Sequence, residues 1–195
     1  MDYSLYKAIN GLSGSAFFDG LFRALANDLP AVIVAVVAAL FLLPWRRERL
    51  ARRCGAVTAT AAAGIALLLN QPIAHAVART RPYLAHPHHA HLLIARSHDP
   101  SFPSDHSTGA FALAAAILFY DRIAGLIVLV LGVLLAFARV YVGTHYPGDV
   151  VGGAVIGIAV VLVLRLPVLR RLLEGVARWC SDLWDRILRV ARIPT

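Results

Sequence analysis

The chain has 195 residues, of which 59% are hydrophobic and only 15% are charged, with a mean hydropathy of +0.69. Soluble domains carry about 25% charged residues, so an ordinary water-soluble protein is excluded and an integral membrane protein is expected. The formal net charge of +8 could suit a nucleic acid, but thirteen of the nineteen Lys/Arg fall within Arg46–Arg53, at Arg122 and within Arg165–Arg192. Those are alternate connections between apolar stretches, which is the positive-inside pattern rather than a basic groove, so no nucleic-acid partner is expected.

In chain order, residues 1–27 come first. Leu5, Ile9, Leu12, Ala16, Phe17, Leu21, Phe22 and Leu25 recur at helical spacing among Asp2, Lys7, Asp19, Arg23 and Asp28. The segment is too polar to span and lacks the basic start and apolar run of a signal peptide. It is expected to form one or two helices in the outer interface, broken near Gly11–Gly14. Five stretches then approach the length of about 20 residues that a span requires: Leu29–Trp45, Gly55–Ala78, Ser104–Tyr120, Ile123–Val142 and Asp149–Leu166. With the basic connections inside, Thr80–Pro103 and Gly143–Gly148 face outside. Beyond the last span, an apolar stripe from Leu169 to Leu188 opposes Arg170, Arg171, Arg178, Arg186 and Arg189, which predicts an amphipathic helix on the inner leaflet. The expected fold is all-α, a polytopic bundle of about five spans. Its parts are an interfacial segment (1–27), a bundle (28–166) and a basic amphipathic cytoplasmic tail (167–195). Cys54 and Cys180 adjoin basic segments and are expected to stay reduced on the cytoplasmic side.

Three polar islands interrupt this apolar background: Thr80-Arg81-Pro82-Tyr83, Ser101-Phe102-Pro103-Ser104-Asp105-His106, and Arg139 through Asp149. Ionisable groups at membrane depth are costly and mark function. The topology, drawn from the connections, puts all three islands on one side. His145 and Asp149 are four apart, so a carboxylate could hydrogen-bond one imidazole nitrogen and aim the other outward as a nucleophile. Asp149 could equally cap the last span. Ser104 opens the third span, where free N–H groups bind anions. His106 stands in its first turn as a candidate general acid, and Asp105 reads as a local cap. Arg81 and Arg139 supply planar forks for phosphate oxygens.

These islands resemble the three signature motifs of the type 2 phosphatidic acid phosphatase superfamily, which includes membrane lipid phosphatases and vanadium haloperoxidases. The Phe-Pro-Ser-Asp-His form, the short segment before the first span and the overall length are similar to the bacterial undecaprenyl-diphosphate phosphatases linked to bacitracin resistance. The resemblance runs over nearly the whole chain and weakens in the tail. It implies that His145 is the nucleophile that becomes phosphohistidine, oriented by Asp149. It implies further that His106 protonates the leaving group, that Arg81, Ser104 and Arg139 bind the phosphoryl oxygens, and that neither metal nor cofactor takes part. The implied substrate is a polyprenyl diphosphate lipid drawn from the bilayer. The implied place is the bacterial cytoplasmic (inner) membrane, with the site facing out. Three positions depart from the superfamily pattern: its lysine seven residues before the arginine is Ala74 here, the residue after Ser104 is Asp105 instead of glycine, and the third motif begins with Ala138 instead of serine. His75, Arg79 and Arg96 are all candidates to replace the lysine's charge.

Two weaker signals remain. His86, His88, His89, His91 and His98 crowd one external loop, but their spacing fits no closed tetrahedral site, and a plain loop near the entrance is expected. Asn70, Gln71 and Pro72 within the second span predict a kink with interhelical hydrogen bonds, or else lining of the site. The alternatives to the lead reading are a phosphatase for phosphatidylglycerol phosphate, phosphatidate or another polyprenyl phosphate, and a small membrane transporter subunit.

Overall fold

The computed structural model describes residues 1–43 and 48–190. The expected end of the first span at Trp45, together with Arg46, Arg47 and Arg192 of the basic segments, lies outside the described residues. Among the described residues all regular structure is helical: α1 (Asp2–Asn10), α2 (Ala16–Leu42), α3 (Arg49–Val77), the single turn α4 (Pro82–Ala85), α5 (Asp105–Leu118), α6 (Arg122–Tyr141), α7 (Pro147–Leu164) and α8 (Pro167–Val190).

The first 27 residues are not separate from the first span. The chain breaks once, between Asn10 and Ala16, and α2 then runs unbroken through Pro30 to Leu42. One buried stripe explains this: Ala26, Leu29, Ile33, Val37 and Leu40 follow one another at helical spacing across the expected boundary. Four helical stretches, Ala16–Leu42, Arg49–Ala85, Arg122–Tyr141 and Pro147–Leu164, are long and apolar enough to cross a membrane.

The third expected span, Ser104–Tyr120, is instead the 14-residue α5, about 21 Å long at 1.5 Å per residue. It is the central helix, with α3, α6 and α7 packed around it, and its Ala112, Ala114 and Ala116 are fully buried. A helix surrounded by protein needs no full-length lipid-facing surface. Small residues let the neighbours approach. A Cβ added at Gly153 of α7 would lie 2.6 Å from the Ser104 carbonyl oxygen, so α7 rides directly on the first turn of α5. Outside, Ile123, Leu126, Val130 and Val133 of α6 and Val151, Val155 and Leu162 of α7 are exposed. That is the inverse of a soluble protein and suits lipid.

At the end away from the polar islands, α8 folds back onto α3. Arg53 is fully buried; it donates to Ser181 Oγ and Asp185 Oδ1, both at 2.8 Å, and to the Phe41 carbonyl at 2.9 Å. Asp121 caps α6 through the Ala124 N–H and pairs with Arg52 at 2.7 Å. The apolar stripe of α8, including Leu172, Val176, Trp179 and Ile187, stays exposed.

Candidate active site

The opposite end of the bundle collects the C-terminal end of α3, the loop to α5, the first turn of α5, the last turn of α6, and the α6–α7 turn. Together they enclose a polar cavity of about 550 Å³, whose walls include Arg81, Asp105, His106, Arg139 and His145. The two remaining expected site residues, Ser104 and Asp149, are fully buried. They are joined through the backbone, the Ser104 N–H donating to the Asp149 carbonyl at 3.1 Å. All six residues therefore meet, although three separate stretches of chain supply them.

His145 precedes α7 in a turn that begins at Gly143, whose φ of +87° is one that glycine adopts without strain. Its Nδ1 lies 2.8 Å from the Ser101 carbonyl. A carbonyl can only accept, so Nδ1 carries the proton of the neutral ring and Nε2 keeps its lone pair. Nε2 lies 3.5 Å from a terminal nitrogen of Arg81. Burial, together with the nearby Arg139 and Arg81 and against the pull of Asp149, holds the His145 imidazole below the ordinary histidine value. It is thus neutral at physiological pH.

The direct His145–Asp149 hydrogen bond that the four-residue spacing suggests is not made; Nδ1 and Asp149 Oδ2 are 3.8 Å apart. The reason is local. α7 starts at Pro147, so His145 lies before the helix and helical i,i+4 geometry does not hold. The Asp149 carboxylate is instead filled by closer donors: the Tyr146 N–H at 2.8 Å, the Ser101 hydroxyl at 2.5 Å and Arg79 at 2.7 Å. It both caps α7 and ties three segments together.

Two buried donors beside this network have no partner among the described residues, Ser104 Oγ and Arg139 Nε. Unpaired buried polar atoms are costly; of the two residues, Arg139 belongs to the cavity wall and Ser104 lies behind it. Arg81 is set by its Nε bond to the Asp99 carbonyl at 2.7 Å. Asp105 is not a local cap, because its carboxylate accepts from Asn70 of α3 at 2.7 Å. Asn70 also donates to Thr108 at 2.9 Å, giving the interhelical bonds expected around Pro72, while Gln71 lines the cavity.

Sequence reasoning missed Ser101 and Asp2 altogether, and offered Arg79 only as a stand-in for the superfamily lysine. Arg79 turns to Asp149 and Asp2, whereas His75 lines the cavity beside Ala74. In the histidine-rich loop, His86 stacks on Tyr3 with ring centroids 3.8 Å apart, and His91 Nδ1 meets Ser13 Oγ at 2.7 Å. Among the described residues no group of three or more His, Cys, Asp or Glu is placed to hold a metal ion.

An imidazole whose Nε2 lone pair faces Arg81 at the cavity, a second histidine and two guanidinium groups around that cavity can attack an anionic electrophile and stabilise the charge it develops. Comparison with known proteins shows the family. The sequence profile of the PAP2 superfamily matches residues 54–172. The chain is 34% identical over 161 residues to undecaprenyl-diphosphatase BcrC of Bacillus subtilis, covering 82% of this chain and 80% of that protein. It is 31% identical over 158 residues to an undecaprenyl-diphosphatase of Sulfolobus acidocaldarius, covering 78% and 71%. Its fold is similar to the crystal structure of Aquifex aeolicus LpxE, with a TM-score of 0.64 at 23% identity over 83% of this chain and 93% of that one. The chain belongs to the PAP2 superfamily, as a multi-pass membrane lipid phosphatase that hydrolyses phosphoric esters.

Proposed function

We propose that the protein hydrolyses a polyprenyl diphosphate, undecaprenyl diphosphate first among them, to the monophosphate and inorganic phosphate, in carrier-lipid recycling and bacitracin resistance. One observation carries this reading: the polar cavity continues into an apolar groove. A second cavity of about 310 Å³ shares Asp105 and His106 with the first and is otherwise lined mainly by apolar residues of α2, α3 and α5, among them Ile33, Val37 and Leu113. A third, of about 480 Å³, shares Val34, Val37 and Thr60 with the second and runs on toward Phe41. A diphosphate head in the polar cavity would leave a long isoprenoid chain lying between α2 and α3. The names of the two relatives point the same way.

In the reaction, Nε2 of His145 attacks the terminal phosphorus while the bond to the bridging oxygen breaks. His106 gives its proton to that oxygen, and Arg81, Arg139 and Ser104 hold the phosphoryl oxygens. Water, deprotonated by His106, then cleaves the phosphohistidine and releases phosphate. Asp149 orients His145 through Ser101. The basic connections support a cytoplasmic-membrane location with this site facing out. A short N-terminal segment, a transmembrane bundle up to residue 166 and an inner-leaflet tail 167–195 are part of the same proposal, with the first boundary moved from residue 27 to the break before Ala16.

The test is phosphate release from purified protein offered undecaprenyl diphosphate, phosphatidylglycerol phosphate and phosphatidate. The diphosphate is expected to have the highest kcat/KM, and a preference for either glycerolipid contradicts the assignment. Val34→Trp, which fills the shared part of the groove, is expected to raise KM for the long-chain diphosphate about tenfold, or about 1.4 kcal/mol. KM for a farnesyl diphosphate should stay within about twofold.

A further inference from the structure

The short helix α1 is tied to the site end of the bundle more tightly than an interfacial anchor requires. The Asn10 side chain donates to the carbonyls of His91 and Tyr141, each at 2.8 Å, and accepts the His91 N–H at 2.8 Å. The Tyr6 ring meets the Tyr146 ring edge-on, with centroids 5.4 Å apart. Asp2 accepts the Gly148 N–H at 2.8 Å and one nitrogen of Arg79 at 2.5 Å. Apart from the two bonds to His91 and the one to Arg79, in the loop after α3, these contacts fall on the end of α6, the α6–α7 turn or the first turn of α7, the stretch that carries His145.

The Asp2–Arg79 contact leads furthest. The other terminal nitrogen of Arg79 is the one bonded to Asp149, and the guanidinium lies 4.1 Å over the Tyr146 ring. Asp149 is fully buried, and a buried carboxylate requires a fixed counter-charge. Arg79 is only half-buried, so by itself its long side chain would exchange rotamers with solvent. A second carboxylate on the opposite side of the fork holds it in place. From Asp149 the connection continues to the Ser101 hydroxyl, and from the Ser101 carbonyl to His145 Nδ1.

We infer that Asp2 and Arg79 are positioning residues of the phosphatase reaction: Asp2 fixes Arg79, Arg79 fixes Asp149, and Asp149 holds Ser101, whose carbonyl aims the His145 ring. α1 is thereby part of the catalytic apparatus, and without Asp2 the imidazole samples orientations that cannot reach phosphorus. This rests on the reading of His145 as nucleophile.

The experiment is steady-state phosphate release by the purified full chain in lipid–detergent micelles, with thermal unfolding measured on each variant. Asp2→Asn is expected to lower kcat about tenfold and Arg79→Gln about a hundredfold, the scale of a misplaced reacting group. KM should stay within about twofold; the unfolding midpoint should hold in Asp2→Asn and fall in Arg79→Gln, which leaves the buried Asp149 without its counter-charge. In the Arg79→Gln background Asp2→Asn should cost nothing more, because it acts only through Arg79. Wild-type kcat in Asp2→Asn, or a full tenfold loss on top of Arg79→Gln, overturns the inference. Should Asp2→Asn fail to fold, Arg79→Lys decides: it keeps the charge but cannot bridge two carboxylates, so a tenfold loss supports the inference and wild-type kcat overturns it. His145→Ala is assayed beside these. An inactive His145→Ala with an unaffected Asp2→Asn removes only the brace, whereas an active His145→Ala removes the nucleophile reading itself.

Discussion

Replacing His145 with alanine is expected to reduce phosphate release by about 10⁴-fold or more, the scale seen when a covalent nucleophile is removed, while leaving lipid binding within a few fold. The expectation follows from the atoms around the ring. Nδ1 is committed to the Ser101 carbonyl, and Nε2 faces Arg81 at the cavity. His145→Gln, which keeps much of the shape, should be equally inactive, because an amide nitrogen has no comparable lone pair. The same environment predicts a pH dependence. The neutral imidazole is the reactive form, and burial with the neighbouring arginines lowers the pKa of His145. The neutral fraction therefore persists below the ordinary histidine value of about 6.5, and the acid limb of kcat/KM should fall below that value instead of at it. A kcat/KM profile whose acid limb lies above 6.5 contradicts the assignment of the neutral ring.

Arg139→Ala is expected to cost about 10²–10³-fold in kcat, and Arg139→Lys nearly as much, in a lipid phosphate-release assay. Arg139 sits in the last turn of α6, almost fully buried, with its Nε unpartnered among the described residues. A guanidinium held that way can give two parallel hydrogen bonds to a phosphoryl group as charge develops, and removing such a donor costs on this scale. Lysine keeps the charge but not the fork. Wild-type kcat in Arg139→Lys would show that this side chain serves only as a general positive charge.

Much of this arrangement is legible in the sequence. Hydropathy and the placement of arginines located the lipid-facing helices, because those helices expose apolar side chains such as Leu126 and Val130 and their polar connections stand out sharply. The same topology put Arg81, Ser104, His106, Arg139, His145 and Asp149 at one end, where they indeed meet. What escaped was set by packing. The first span could not be dated to Ala16, since Asp19, Arg23 and Asp28 mask the buried stripe that continues through them. The length of α5 was overestimated because a central helix is bounded by protein and not by bilayer thickness.

Spacing allows Asp149 either a direct bond to His145 or a helix cap, because it cannot tell whether a helix begins before or after the histidine. Pro147 as the first residue of α7 decides it. Ser101 opens the second polar island and Asp2 stands among the polar residues of the first segment, but nothing local gives either a role at the site. Each becomes visible only when α1 and the loop before α5 fold over the α6–α7 turn, an approach across as many as 146 residues for the Asp2–Gly148 bond. Arg79 was conspicuous as a charge, but its partners lie on α1 and α7, and nothing around it in sequence names them.

The most direct measurement is to mix the purified enzyme with lipid substrate carrying labelled terminal phosphate, quench in alkali within milliseconds, and map the label by mass spectrometry. The account predicts an alkali-stable, acid-labile phosphoryl group on His145, formed and consumed at rates compatible with turnover, and absent from His145→Ala. Label on any other residue, or rapid phosphate release with no labelled protein at any time point, would contradict it.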